Sequence, residues 1–126
     1  MVELAVILPL LLLIVLGTVD LGMGFKTYIA LTNASREGVR WITIHPTEKD
    51  LAIERVNAEA ERVGLVDGIF AEGGYNISFT PSGSYKAGDK VTVSIDYDYE
   101  LLFGAVTGLP AIPFTASSTM VVLYDE

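Results

Sequence analysis

The chain divides into two regimes of hydrophobic patterning. From Leu4 to Val19 there is no charged or strongly polar interruption apart from a single threonine, and from Met1 to Phe25 only Glu3 and Asp20 are charged. A helix of this length rises about 37 Å, enough to cross a hydrocarbon core of about 30 Å. Beyond it, Phe25, Tyr28, Ile29, Thr32, Ser35, Val39 and Ile42 recur at the three-and-four spacing of one helix face, with Lys26, Arg36, Glu37 and Arg40 between them. The first breaker of this pattern is His45-Pro46, because the residue before proline is driven out of helical geometry. The pattern therefore predicts one helix from near residue 2 to near residue 44, apolar all round in its first half and amphipathic in its second. Residues 1–45 form the N-terminal helix, with 1–25 as membrane span or assembly core and 26–45 packed on a head domain of residues 46–126.

Pro9 lies inside this helix and should kink its first turns. Gly17, Gly22 and Gly24 lower helix propensity; they fit either close helix–helix approach or local flexibility. Glu3 either sits at headgroup level or awaits a cationic partner, such as the α-amino group of a neighbouring copy. A cleaved secretory signal fits poorly. The start Met-Val-Glu is not basic, Gly17-Thr18-Val19-Asp20 is a poor cleavage site, and the helical pattern runs on past it.

The remainder predicts a small α+β head. A second helix begins at Pro46-Thr47, with Thr47 as N-cap, an apolar stripe of Leu51, Ala52, Val56, Ala60 and Val63, and Gly64 beyond its end. Period-two alternation marks strands at 75–80, 91–101 and 114–124. Pro81, Gly83 and Ala87-Gly88-Asp89 supply turn chemistry between the first two, so an antiparallel meander of three to four strands is expected. Leu102 to Ile112 is unusually apolar for a connection; Phe103, Val106 and Leu109 should tuck under the sheet or meet a neighbour.

Composition removes several functions. The 126 residues include no cysteine, which excludes disulfides, zinc–thiolate sites and cysteine nucleophiles. His45 is the only histidine, it sits beside a proline, and there is no phosphate-binding glycine loop, so no enzyme and no cofactor are expected. The net charge of −8 is concentrated beyond residue 65, where phosphate backbones would be repelled. Asp96, Asp98 and Glu100 alternate along one strand face; without an EF-hand-like loop a solvated acidic face is favoured over a shared cation. Asn33-Ala34-Ser35 and Asn76-Ile77-Ser78 match the glycosylation triplet, and Asn76 on a strand is the better candidate.

The run Val2-Glu3-Leu4-Ala5-Val6-Ile7-Leu8-Pro9-Leu10-Leu11-Leu12-Leu13, followed by Gly17 and Asp20-Leu21-Gly22, resembles the TadE-like family of small relatives of type IV pilins from tight-adherence (Tad) pilus systems. Thr32-Asn33-Ala34-Ser35-Arg36-Glu37-Gly38-Val39-Arg40 is similar to that family's Arg-Glu-Gly helix stretch, and residues 91–94 and 114–122 to its closing strands. The resemblance implies a pilin-like fold and a precursor whose short basic leader is removed by a prepilin-type peptidase. It also implies a helix that anchors in the inner membrane before packing into an extracellular filament. The family's glutamate near the mature N-terminus corresponds to Glu3, slightly closer to the start than the pattern places it. No basic leader precedes Met1, so a mature form is expected. Copies of itself and the pilus assembly machinery are the implied partners, with no nucleic acid. A minor pseudopilin, or a monomeric membrane-anchored extracytoplasmic binding domain, is the alternative.

Overall fold

The computed structural model describes residues 2–62 and 74–124. Helix α1 (Val2–Ile44) is followed by α2 (Lys49–Arg62), strands β1 (Tyr75–Thr80) and β2 (Lys90–Tyr99), a short helix α3 (Leu102–Thr107) and strand β3 (Ile112–Val121). The strands form an antiparallel meander in the order β1-β2-β3. Its register runs from Tyr75 opposite Tyr97 to Thr80 opposite Thr92, and from Lys90 opposite Val121 to Tyr99 opposite Ile112. The result is the long helix, then an α+β head, that the sequence pattern predicts.

Helix α1 continues without a break through Pro9 and stops two residues before Pro46. Its second half packs on the sheet and on α2; Ser35, Val39 and Ile42 of the predicted face are buried there, but the large residues at the start of that face are not. The buried positions are Thr27, Ala30, Leu31, Ala34, Ser35, Val39, Ile42 and Thr43, most of them small. Phe25, Tyr28 and Ile29 point away from the sheet or lie at its margin and stay exposed. Close approach of a helix to a sheet and a second helix selects the side with least bulk, and Gly38 shows how close. A Cβ placed there would lie 2.5 Å from Cγ2 of Val56.

The head core follows strand alternation. Val91, Val93, Ile95, Tyr97 and Tyr99 all point inward from β2 and are buried. Ala52, Val56 and Ala60 of α2 close over α1 at four-residue spacing, whereas Leu51, about 100° further round the helix, is exposed. Helix α2 begins at Lys49, so Glu48 rather than Thr47 immediately precedes it. Val63 and Gly64 lie outside the described residues. The turn before β2 depends on Gly88, whose φ of 93° lies in the left-handed region that a side chain disfavours.

Among the described residues, polar ties link α1 to the distal half of the chain at three heights. Low on the helix, the Asp20 carboxylate bonds the start of α3. Midway, the buried Ser35 hydroxyl lies 2.8 Å from that of Ser118 on β3. At the top, the amide of Leu123 donates to the carbonyl of Thr43 at 3.0 Å. Buried polar groups of this kind are stable only because each finds a partner.

Candidate functional site

The most unusual surface is the rod formed by the first half of α1. Leu4, Val6, Ile7, Leu8, Leu10, Leu11, Leu12, Leu13, Ile14 and Val15 are all at least 40% exposed, far beyond the scattered apolar residues of an ordinary surface. The apolar surface does not stop where a membrane span would. It continues through Leu21, Phe25 (67% exposed) and Ile29 (58%) along one side of α1 that the head leaves bare. From Leu4 to Ile29 this strip is about 38 Å long, longer than the hydrocarbon core of a bilayer.

Beside it runs a cavity of about 530 Å³, walled by α1 on one side and by α3 and the start of β3 on the other. Leu21, Phe25 and Tyr28 face Phe103, Leu109 and Phe114 across it. Phe114 anchors its floor, stacked on Tyr99 at 5.5 Å between ring centroids and edge-on to Tyr28 at 6.2 Å. The lining is apolar except for Asp20, which is 4% exposed and fully occupied. Its two carboxylate oxygens accept the backbone N–H of Leu102 at 2.9 Å and of Phe103 at 2.8 Å. These are two of the orphan donors that open a helix, so a side chain from α1 caps α3. Burial pushes the Tyr99 hydroxyl above its ordinary range, and the nearby charge of Asp20 adds to the effect.

The positions singled out in the sequence distribute around this surface. Glu3 is exposed near the start of the rod and Pro9 lies within its helical run. Added Cβ atoms at Gly17 and Gly22 would meet nothing within 4 Å. Gly24 differs: its added Cβ would lie 3.6 Å from the Phe114 ring and 3.8 Å from Tyr99, so this glycine is already used by the chain's own head. Asp96, Asp98 and Glu100 do not converge. Asp96 accepts the Thr115 hydroxyl at 2.7 Å, and among the described residues no group of three His, Asp or Glu side chains could hold a metal ion. Alternate residues of one extended strand stand about 7 Å apart, too far to share an ion without help from another element.

Asn33 is exposed, but the Ser35 of its triplet is fully buried and bonded to Ser118, whereas Asn76 and Ser78 both lie exposed on the outer face of β1. His45 stacks on Trp41 at 4.4 Å, with the Arg55 guanidinium 4.6 Å from the Trp41 ring centre, so the histidine serves the end of α1. The connection from Leu102 to Ile112 contains α3; of its large residues Phe103 is half-buried, while Val106 and Leu109 are exposed, so for these two the first expectation fails and contact with a neighbour is the one that stands. The role of Asp20 is absent from the sequence reading. Its one signal there was an isolated carboxylate at the end of an apolar run.

Residues 1–40 match the TadE-like protein family. The matched stretch is most of α1: the whole exposed rod, Asp20, and the start of the face packed on the head. The TadE-like stretch thus coincides with the surface singled out on physical grounds, and it agrees with the resemblance seen in the sequence. No curated protein and no solved structure matches the chain.

Proposed function

We propose that this chain is a structural subunit of a Tad-type pilus filament, held in the inner membrane by α1 before assembly and polymerising through the same helix. The observation that carries this reading is the overlength of the apolar strip. A plain anchor needs about 20 apolar residues and has no use for Phe25 and Ile29 bare above the bilayer. A subunit whose α1 packs against other copies does. Inside a membrane, helix association draws on packing rather than on escape from water, so the unfilled space over Gly17 and Gly22 favours close approach of a neighbour. An interface between unlike surfaces of identical copies propagates instead of closing, which yields a filament.

Ile29→Asp tests this reading. It places a charge on the strip but outside the span and outside the head core. Cells carrying it should insert the subunit at wild-type levels and show few or no surface filaments by electron microscopy. Filaments at wild-type yield would show that the strip above the span makes no contact that assembly needs, and would overturn the reading drawn from its length.

A further inference from the structure

The second half of the apolar surface is not on α1. The segment from Leu101 to Ile112 carries no charged residue, and it presents Val106 (72% exposed) and Leu109 (51%) on the outside of the head. Its height along α1 is fixed by the Asp20 bonds to Leu102 and Phe103. With Glu3 at one edge of a bilayer, a hydrocarbon core of about 30 Å and a rise of about 1.5 Å per residue place the other edge near residue 23. A tilt of about 20° moves that edge by only a residue or so. Asp20 therefore lies about one turn inside the boundary, and α3 lies there with it.

We propose that, in the unassembled subunit, α3 and the turn after it form a foot inserted in the lipid interface, a second membrane contact beside the α1 span. This rests on the reading of α1 as a membrane span. A non-spanning segment can enter that depth only if its backbone polar groups are satisfied. Four amides of the segment are satisfied within the chain: Asp20 takes the first two of α3, the Ala105 amide donates to Leu101 O at 3.3 Å, and the Gly108 amide donates to Gly104 O at 2.7 Å. Gly108 supplies the left-handed residue, with φ of 73°, that this closing bond requires. Pro110 and Pro113 flank the following stretch and bring no N–H at all. The bonds also explain how a carboxylate is tolerated at this level, since Asp20 is shielded from lipid by the foot that it holds. Leu109 shares the cavity wall with Leu21 and Phe25 of α1, and Val106 is exposed on α3, at the depth where the head meets the bilayer.

The absence of cysteine makes the test direct. Full-length Val106→Cys, Leu109→Cys, Leu12→Cys and Thr119→Cys, each labelled with an environment-sensitive fluorophore, are reconstituted in phosphatidylethanolamine–phosphatidylglycerol vesicles whose acyl chains carry bromine both near the headgroup and near the bilayer centre. Leu12 reports the span, and Thr119, exposed on β3, reports water. Quenching at Val106 and Leu109 at least about half as strong as at Leu12, independent of protein density, with none at Thr119, is the expected result. Unquenched Val106 and Leu109 beside a quenched Leu12 would overturn the foot while leaving the anchor intact. Shielding that grows with protein-to-lipid ratio would overturn it too, by assigning the surface to a second copy. An unquenched Leu12 would remove the anchor reading and the foot with it.

Discussion

The carboxylate of Asp20 caps a helix that begins 82 residues later in the chain, accepting the amides of Leu102 and Phe103. Replacing it with alanine leaves two donors without a partner in a mostly apolar setting. We expect Asp20→Ala to lower head stability by about 2–4 kcal/mol and Asp20→Asn by less, since one acceptor oxygen remains. Thermal unfolding in detergent micelles measures the loss. Hydrogen exchange should localise it, with the Leu102 and Phe103 amides losing protection first.

Gly38 permits the contact between α1 and α2. Gly38→Ala should destabilise by about 1–3 kcal/mol through overpacking against Val56. Combining it with Val56→Ala should recover part of the loss, a negative coupling readable from a double-mutant cycle. Additive losses would show that the clash is relieved elsewhere.

Gly22 and Gly24 should separate assembly from folding. Gly22→Leu meets open space, so it should leave the melting temperature and membrane insertion near wild type while cutting filament yield. Gly24→Leu should in addition lower the melting temperature, because a leucine there displaces the Phe114 and Tyr99 rings. Matched melting curves and filament counts for both variants check this.

Glu3 is the one charge on the rod before Asp20, and no basic side chain precedes Lys26. In a packed core an unpaired carboxylate is costly, so the proposed assembly requires a cationic partner for Glu3, and the α-amino group of a copy is the candidate we put forward. Glu3→Ala should insert normally but polymerise poorly or out of register, and Glu3→Gln less severely. Filament yield and helical rise at matched subunit levels decide it. An unchanged rise and yield in Glu3→Ala would place Glu3 at the membrane surface.

Alkaline pH should loosen the head. Burial raises the hydroxyl pKa of Tyr75, Tyr85, Tyr97 and Tyr99 above the ordinary value near 10. The folded state thus holds these protons more tightly than the unfolded chain. The stability this contributes is intact below about pH 10 and is lost as pH rises through the folded values. Ultraviolet titration should show tyrosinate absorbance lagging that of the unfolded chain, then rising together with unfolding. Titration without a lag would contradict the burial of these rings.

The extent of α1 and the inward face of β2 were legible in the sequence because both rest on local rules: a proline that stops a helix, and strict alternation along a strand. The side of α1 that the head covers was legible only in part. Periodicity found Ser35, Val39 and Ile42 on the covered side, but its bulkiest members, Phe25, Tyr28 and Ile29, are exposed, and close packing chose Ala30, Leu31, Ala34 and Gly38 instead. Nor was the partnership of Asp20 with Leu102 and Phe103 legible, because backbone amides have no signature in sequence and the separation is long. Glycines posed the same difficulty. Gly22 and Gly24 look alike in the chain, and only the position of Phe114 tells them apart.

The ties of α1 to the distal half, at the heights of Asp20, Ser35 and Thr43, have a mechanical meaning. They are spread along the helix, and β3 lies against α1 between the first and the last. A pull along the helix axis loads them together, in shear, instead of opening them one after another from an end. A head fastened in this way resists tension along the rod better than it resists being peeled sideways, which suits a subunit strained along its length.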